Sequence, residues 1–570
     1  MFKKVLALVL ALLMVIPMLA ACGGKKAAVD DETSAKATKA TTTLSDEDDE
    51  DVDDTEADEE DEEYEEDEAD TKVEISIDYT ANTDIVFEDT TIYDEMTLDQ
   101  LRNPENFEGS DIPESRDYGG YQFNILADDF NVDYEFCDQS DGDIVKESVI
   151  DRQNWISEYV GIEFIITPIN AGYWNMDAFC AEIEAASGAG SPYDLALAYS
   201  HIPPVVAAKG LSRDLAESEN LNLLKTTKEY WGSGIKEEIM IGGRIFWMSD
   251  NSSWDSVRNL LCVFVNVDFF TRANPEFDQT NLYRMVEGGA WTFENMLLFI
   301  QNTYENTNEE KPEADRKDTY GLLPGIYYYS IENWLYGAGF SLTRINSRGT
   351  YEWTIGDQSF IDFSDWWQST VDNNINIAKE SGEVAEGLAT FTEERAMFTM
   401  APFKIIEKQL ELDFTVLPLP IYDPDIKNAY STPILNDYGS WLIPKATKKD
   451  AFERSATVLE LIAAEGNRRI APVYFEIYLK RQNAGHDKDM QTMFNIIRNA
   501  IMFDIGFLYG SVLTYEKPSG GGYEEVFIAL RRMWGTESNA FYSNVSTVWA
   551  SISSGVTLKL KNLMVDILDY

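Results

Sequence analysis

Few residues of this 570-residue chain are of the types that carry out covalent or metal chemistry. The two histidines, His201 and His486, lie far apart in the sequence and indicate neither a metal cluster nor a proton relay. The signatures HExxH, GxSxG and GxxxxGK[ST] do not occur. The acidic stretch 137–143 has Cys137 where the first ligand of a calcium loop must stand. The sequence therefore predicts no metal, no cofactor and no catalytic residue. An extracellular glycosidase stays open as an alternative, because it needs only two of the 101 acidic residues.

Aromatic residues are the positive signal, with 13 Trp, 29 Tyr and 29 Phe. Sugar rings present flat C–H faces that stack on aromatic rings, and their hydroxyls pair with carboxylates and amides. A cleft between two lobes supplies both kinds of group and excludes water. The predicted ligand-binding aromatics are Trp174, Trp254, Tyr328, Trp334, Tyr438 and Trp441. The polar partners predicted beside them are Asp128, Asp129, Asp255, Glu332 and Asp437. The alternative for each aromatic residue is a place in a packed core, where most Trp and Tyr residues of a body this large lie.

The elements that must position these residues begin near residue 118. Residues 121–127 (YQFNILA), 162–169 (IEFIITPI) and 193–199 (YDLALAY) have the apolar character of buried strands. Helical spacing of apolar residues separates them at 143–160 and 176–186. This alternation predicts a parallel sheet covered by helices. About 450 residues of globular sequence are more than one core usually accommodates, so two lobes are expected.

Three helix starts are predicted from capping residues. Thr292 precedes an apolar helical segment, and Thr447 stands in a similar position before a second one. Thr390 and Glu393 fit a capping box ahead of a short helix.

The N-terminus has the layout of an export signal. Lys3 and Lys4 precede an uncharged apolar run that ends in Leu-Ala-Ala-Cys at Cys22. This ending resembles the lipobox of bacterial lipoproteins, in which the cysteine receives a diacylglycerol and becomes the first residue of the mature chain. The resemblance implies a signal peptide at 1–21, a lipid on Cys22, and an extracytoplasmic protein anchored to the outer face of the cell membrane. The alternative is an ordinary secretory signal with a chance cysteine.

A strongly acidic tract follows, with 20 Asp or Glu among the 25 residues 46–70. Such a run repels itself and cannot bury a core, so residues 22–117 are predicted to form a lipidated, disordered linker. It is either a solvated stalk or a segment that gathers cations or wall polymers. The net charge of −56 exceeds what the tract contributes, so the remaining chain is acidic too and is not expected to bind nucleic acid. After Cys22, three cysteines remain and indicate no disulfide framework.

The order of several motifs resembles the extracellular solute-binding proteins of ABC importers, the family that includes maltose-binding protein. The motifs are YDLALAYS, LLCVFVNVDFF, WTFENMLLF, NWLYGAGF, EGLATFTEERAMFTMAP and FTVLPLPIYD. The resemblance covers nearly all of residues 118–570. It implies an α/β fold of the two-lobe, type II periplasmic-binding-protein class, in which each lobe is a mixed sheet flanked by helices and the ligand cleft lies between the lobes.

The same resemblance implies the domain boundaries. The first lobe is expected to comprise residues 118–263 and 400–463, and the second lobe residues 264–399 and 464–570. Three crossings between the lobes are expected, near residues 263–268, 397–402 and 436–440, and the two rigid lobes are predicted to rotate about these crossing segments.

These features predict a lipid-anchored, solute-binding protein that captures a sugar or oligosaccharide and presents it to ABC permease subunits. An alternative from another class is a surface adhesin or sensory binding protein on the same fold, for which the acidic tract is the only indication. No nucleic-acid partner is expected.

Overall fold

The computed structural model places most of the chain after residue 94. It describes residues 95–113, 116–189, 191–223, 229–231, 238–249, 253–307, 317–325, 331–378, 384–408, 410–423, 429–484, 487–517, 523–534 and 544–569. All of them belong to one compact unit, Val73–Tyr570. The predicted signal peptide, Cys22, the predicted linker as far as residue 94, Tyr328 and His486 lie outside the described residues. The later part of the predicted disordered linker is ordered, since it contains a helix at Leu98–Leu101 and Leu101 is completely buried.

The described helices and strands alternate along the chain. The α-helices are α1 Leu98–Leu101, α2 Asp129–Glu135, α3 Ile144–Val160, α4 Met176–Ala189, α5 Ile202–Ala208, α6 Trp254–Arg258, α7 Val267–Ala273, α8 Gln279–Glu287, α9 Phe293–Phe299, α10 Ile331–Gly337, α11 Gln358–Asn373, α12 Val384–Thr392, α13 Lys449–Glu465, α14 Lys488–Asn499, α15 Ile505–Leu508, α16 Val526–Trp534 and α17 Val545–Asp569. The strands are β1 Tyr121–Asp128, β2 Ile162–Ile169, β3 Leu195–Tyr199, β4 Leu261–Asn266, β5 Tyr320–Leu323, β6 Thr343–Ile345, β7 Tyr351–Trp353, β8 Ala396–Pro402, β9 Phe414–Leu417, β10 Thr432–Pro433, β11 Gly439–Leu442, β12 Ile501–Met502, β13 Thr514–Glu516 and β14 Tyr523–Glu525. Two π-helical segments, Gly466–Ile470 and Pro472–Ala484, follow α13.

The first sheet has the strand order β11-β3-β1-β2. Strand β1 pairs in parallel with β2 and β3, and β11 is antiparallel to β3, so the predicted parallel sheet is confirmed. The longer of the two helices between β1 and β2, α3, begins and ends at local sequence signals. The Asp143 carboxylate accepts hydrogen bonds from two backbone N–H groups of the first turn of α3. At the other end, Gly161 adopts a left-handed conformation with φ 63°, which glycine takes without steric cost.

The second sheet has the order β5-β8-β4-β9. Strand β5 is parallel to β8, whereas β4 is antiparallel to both β8 and β9. Strands β4 and β8 are buried along their whole length, as expected for central strands. We call the first sheet with the helices packed on it the first lobe, and the second sheet with its helices the second lobe. The fold is therefore α/β with a mixed sheet in each lobe.

Of the three predicted helix starts, one is confirmed and two are wrong. Thr292 is the N-cap of α9 and accepts a hydrogen bond from the Asn295 backbone, as predicted. Helix α13 instead has Lys448 at its N-cap, so the prediction for Thr447 is wrong by one residue. Thr390 lies inside α12, near its end, and the predicted capping box is also wrong. The short helix before the return strand does exist, but it begins earlier than the sequence pattern indicates.

Two crossings between the lobes run side by side. The first joins α6 to β4 through Asn259 and Leu260, and the second leads from β9 to β11 past Ile434 and Leu435. The Leu435 N–H donates to the Asn259 carbonyl at 2.9 Å, and Leu260 and Ile434 form an isolated antiparallel bridge. A third crossing lies between the second π-helical segment, which packs on α3, and α14, which packs on β9.

These contacts correct parts of the predicted crossings and boundaries. Residues 263–268 and 397–402 do not cross between lobes, because β4 and β8 both lie in the second sheet. Strand β9 also belongs there, whereas residues 400–463 were assigned to the first lobe. The π-helical segments, assigned to the second lobe, pack on α3 of the first. Segment 436–440 does lie on a crossing. Which sheet a strand joins depends on its pairing with strands far away in the sequence. No local sequence pattern indicates that pairing.

Among the described helices, none has the length and apolar content needed to span a membrane. Cys137, Cys180 and Cys262 are all buried free thiols.

Candidate functional site

The carboxyl ends of β1, β2 and β3 meet at one edge of the first sheet because the three strands are parallel. Open parallel sheets bind ligands outside this edge. Asp128 ends β1 and is completely buried. Its carboxylate accepts hydrogen bonds from the Phe130 N–H at 3.2 Å and the Gly172 N–H at 3.0 Å. Burial raises the pKa of Asp128, while these N–H donors act in the opposite direction. Asp128 therefore ties the loop after β2 to the start of α2.

The loop after β2 contains Trp174, which is the most exposed of the large hydrophobic residues that the structure describes. The Trp174 side chain is 90% exposed, and its ring meets the edge of Tyr173 at a centroid distance of 4.9 Å. At the same edge of the sheet, the exposed Asp129 carboxylate accepts a hydrogen bond from the Asn170 side chain at 3.1 Å. We call Asp129, Asn170, Tyr173 and Trp174 the rim patch. A free indole face next to a carboxylate and amides is the combination that a sugar ring requires.

His201 follows β3 at the same edge and is buried. Its ring lies 4.8 Å from the ring of Phe507 in an edge-to-face arrangement, and neither ring nitrogen has a hydrogen-bond partner. Burial lowers the pKa of His201 to about 4, so the imidazole is neutral at pH 7. This environment suits a packed aromatic side chain rather than a base.

A C-terminal segment of the chain faces this edge. The Tyr173 hydroxyl donates to Glu525 Oε1 at 3.1 Å, and the Ser511 hydroxyl donates to the same oxygen at 2.8 Å. The segment is also bonded to β6, because Asp504 accepts a hydrogen bond from the Thr343 hydroxyl at 2.6 Å. Contacts of Tyr173 and His201 therefore join the strand ends of the first lobe to this C-terminal segment.

Four of the predicted site residues lie at the crossings. Asp255 is completely buried, and its Oδ2 accepts from the Asn131 side chain at 2.6 Å and the Gly439 N–H at 3.0 Å. Burial, and next the charge of Glu135, raise the pKa of Asp255 to about 8. Asp437 forms an ion pair with Lys404 at 2.6 Å.

The two aromatic members at the crossings, Trp254 and Tyr438, are both buried. Trp254 packs edge-on against Tyr134 at 5.2 Å, and Tyr438 packs against Phe503 at 6.2 Å. The structure thus brings these residues to the boundary between the lobes and covers their ring faces with protein.

The remaining predicted aromatics lie in the lobe interiors. Trp441 is part of β11, paired with Leu197 of β3, and is 1% exposed. Trp334, on α10, stacks on Trp367 at 5.6 Å. Both residues thus lie in a packed core, which is the alternative given for each aromatic residue in the sequence analysis. Their role as ligand contacts stays a prediction. Glu332, on the same helix, has a completely buried carboxyl group.

Sequence reasoning missed Tyr173, Phe507 and Glu525. Tyr173 is adjacent to the predicted Trp174, so the YWN motif already contained it. Phe507 and Glu525 lie more than 300 residues farther along the chain, and no local pattern connects them to the loop after β2.

Comparisons with known proteins complete the description of the site. No family model matches the chain, and no curated protein matches it. Solved structures with a similar chain path include the cyclic α-maltosyl-1,6-maltose-binding protein of Arthrobacter globiformis, with 10% identity and a TM-score of 0.49, covering 78% of this chain and 100% of that one. A Staphylococcus aureus extracellular solute-binding protein in complex with maltose has 12% identity and a TM-score of 0.45, covering 80% and 98%. A cyclo/maltodextrin-binding protein complexed with maltotetraose has 10% identity and a TM-score of 0.46, covering 81% and 98%. The two-lobe assignment rests on the strand pairings of this chain.

Proposed function

We propose that the protein captures a sugar or oligosaccharide outside the cytoplasm and delivers it to an ABC import permease. The observation that supports this proposal best is the rim patch. Trp174 exposes its indole in the loop after β2, and the same edge of the first sheet carries the hydrogen-bonded Asp129 and Asn170. An exposed indole can stack on the flat C–H face of a sugar ring, while carboxylate and amide groups pair with its hydroxyls.

Isothermal titration of the purified protein with a panel of neutral oligosaccharides tests the proposal. The panel includes maltose and maltotetraose, the ligands named for two of the similar structures. We expect one glycan to bind, and Trp174→Ala to weaken its binding about tenfold or more, since a stacked aromatic contact is worth roughly 0.5–1.5 kcal/mol beyond its buried area.

Tyr523→Ala is the matched control, because Tyr523 is also an exposed aromatic residue, at 67%, but lies outside the rim patch. If peptides or phosphorylated metabolites bind and no glycan does, the proposed substrate class is wrong. Equal loss of affinity in both variants would remove the rim patch from the site.

We also propose that the chain is anchored to the outer face of the cell membrane through lipid on Cys22. The support is the apolar N-terminal run that ends in Leu-Ala-Ala-Cys. Several acyl chains on one residue would anchor it durably, since each buried methylene contributes about 0.8 kcal/mol.

In the native host, Cys22→Ser is expected to move the protein from the membrane fraction to the medium, measured by fractionation and intact-mass analysis. Cys137→Ser should stay with the membrane. Wild-type protein without added lipid mass would contradict the anchor.

A further inference from the structure

A small cavity lies beside the second crossing, between α10 and the segment after β12. It has a volume of about 10 Å³, close to the minimum that holds one water molecule, and its wall includes Glu332, Tyr336, Tyr438, Phe503, Asp504 and Phe507. The proposed sugar site does not use this cavity. Two carboxyl groups and four aromatic rings thus surround a space of atomic size.

The two carboxyl groups differ in the number of hydrogen bonds that they accept from the protein. Asp504 accepts hydrogen bonds from the Thr343 hydroxyl at 2.6 Å, the Gly506 N–H at 2.8 Å and the Tyr336 hydroxyl at 3.1 Å, and also from the Leu342 N–H. Glu332 is equally buried, but neither of its oxygens has a hydrogen-bond partner. A buried polar group without a partner is costly, so an unmatched carboxyl group in a cavity indicates a missing donor or cation.

Burial, rather than the nearby charges, dominates the environment of Glu332. The charge of Arg531 lowers the pKa of Glu332 and the charge of Asp437 raises it, while burial raises it well above its usual range and outweighs both. Arg531 donates no hydrogen bond to either Glu332 oxygen. Aromatic faces, such as those of the cavity wall, attract cations through their negative π-electron density. A carboxylate at the centre of such a wall is suited to a compact positive ion.

We propose that this cavity is a binding site for one small monovalent cation, held by the Glu332 carboxylate against the surrounding aromatic rings. The cation is either a free ion, such as K⁺ or NH4⁺, or the protonated amine of a solute that enters from the cleft. A cavity of about 10 Å³ accommodates one ion of this kind and excludes tetramethylammonium.

Thermal unfolding of the purified protein in different chloride salts at constant ionic strength tests the site. In KCl or NH4Cl the melting temperature should rise saturably by about 1–3 °C relative to tetramethylammonium chloride, because a ligand that binds only the native state stabilises it. In Glu332→Gln the difference between the salts should vanish. Glu158→Gln, which changes an exposed glutamate on α3, should retain it.

A second measurement on the wild-type protein keeps the inference testable even where Glu332→Gln fails to fold. Because the pKa of Glu332 is raised, an entering cation should displace its proton. Calorimetry of K⁺ or NH4⁺ binding at pH 7 in buffers of different ionisation enthalpy should report release of about one proton per cation. Equal melting temperatures in all the salts, together with no heat of binding, would overturn the site and leave a protonated Glu332 beside a water molecule.

Glucosamine and glucose separate the two sources of the cation. Binding of glucosamine without glucose, in tetramethylammonium chloride, would assign the site to a solute amine, whereas K⁺ or NH4⁺ binding alone would assign it to a free ion. Failure here is distinguishable from failure of the proposed function, because the neutral oligosaccharide titration can be carried out in tetramethylammonium chloride, where this site is empty.

Discussion

Asp255 shows how a single buried carboxyl group couples the crossing segments to pH. Its Oδ2 receives two N–H donors from the first lobe, and its Oδ1 has no partner. Burial therefore favours the protonated form, with a pKa of about 8. In the unfolded chain an aspartate titrates near 3.9. Between these values the native protein binds more protons than the unfolded chain, so the contribution of Asp255 to stability is complete below pH 4 and decreases as the pH rises through 8.

Asp255→Asn should remove this dependence. Between pH 5 and pH 8 the wild-type protein should lose stability relative to the variant, with a slope of up to about 1.4 kcal/mol per pH unit. Urea unfolding at pH 5, 6.5 and 8 measures the difference. The opposing contribution of His201, whose pKa is lowered, is present in both proteins and cancels. Asp151→Asn, on the exposed face of α3, is the control and should follow the wild type. A constant difference at all three pH values would contradict the raised pKa.

At the scale of elements, α13 fixes a loop of the first lobe through one side chain. Glu460 is completely buried and accepts hydrogen bonds from the Asn222 backbone and side chain at 3.0 and 2.6 Å. It also accepts from the Tyr230 hydroxyl at 2.5 Å and the Trp231 indole N–H at 2.8 Å. One carboxylate thus satisfies four buried donors that come from positions more than 200 residues earlier in the chain.

Removing this acceptor should destabilise the first lobe strongly. Glu460→Ala leaves four buried donors without a partner, so we expect a loss of about 3–5 kcal/mol in the free energy of unfolding. Chemical denaturation followed by Trp fluorescence measures it. Asp450→Ala, at an exposed position of the same helix, should cost less than about 1 kcal/mol. A similar small effect in both variants would show that the loop is held by other contacts.

At the scale of the whole molecule, the crossings at Asn259–Leu260 and Ile434–Leu435 lie side by side and suit a hinge. Contacts of Tyr173 with Glu525 and of His201 with Phe507 link the strand ends of the first lobe to the C-terminal segment. A rotation about the crossings would change a few backbone dihedrals there while each lobe stays intact. Ligand would then stabilise the closed state only through contacts made in that state.

Small-angle scattering with and without a glycan that binds tests this motion. The radius of gyration of the wild-type protein should decrease at saturation, whereas Trp174→Ala at the same glycan concentration should show a smaller decrease. A radius unchanged at saturation would count against a two-lobe clamp and favour the adhesin or sensory alternative.

Local sequence by itself determined most of the first sheet and its helices. The predicted segment 162–169 coincides with β2, and 121–127 differs from β1 by one residue. Asp143 and Gly161 bound α3 through hydrogen bonds and a backbone conformation that depend on adjacent residues. Apolar periodicity and capping are visible in the sequence for this reason, and the α/β class follows from them. Trp174 was also predictable, because it lies in a short polar loop after a strand.

Only the tertiary structure decided which residues are buried and which lobe they join. Trp441 and Trp174 have similar polar and glycine-containing neighbours in sequence, yet pairing of β11 with β3 buries the first while the second is 90% exposed. Strand β9 joins the second sheet through its register with β4, some 150 residues away in the chain. The Glu332 cavity likewise needs α10, the second crossing and the segment after β12 to meet. These outcomes depend on long-range pairing, whose energy is shared among many contacts and leaves no signature in any one local segment.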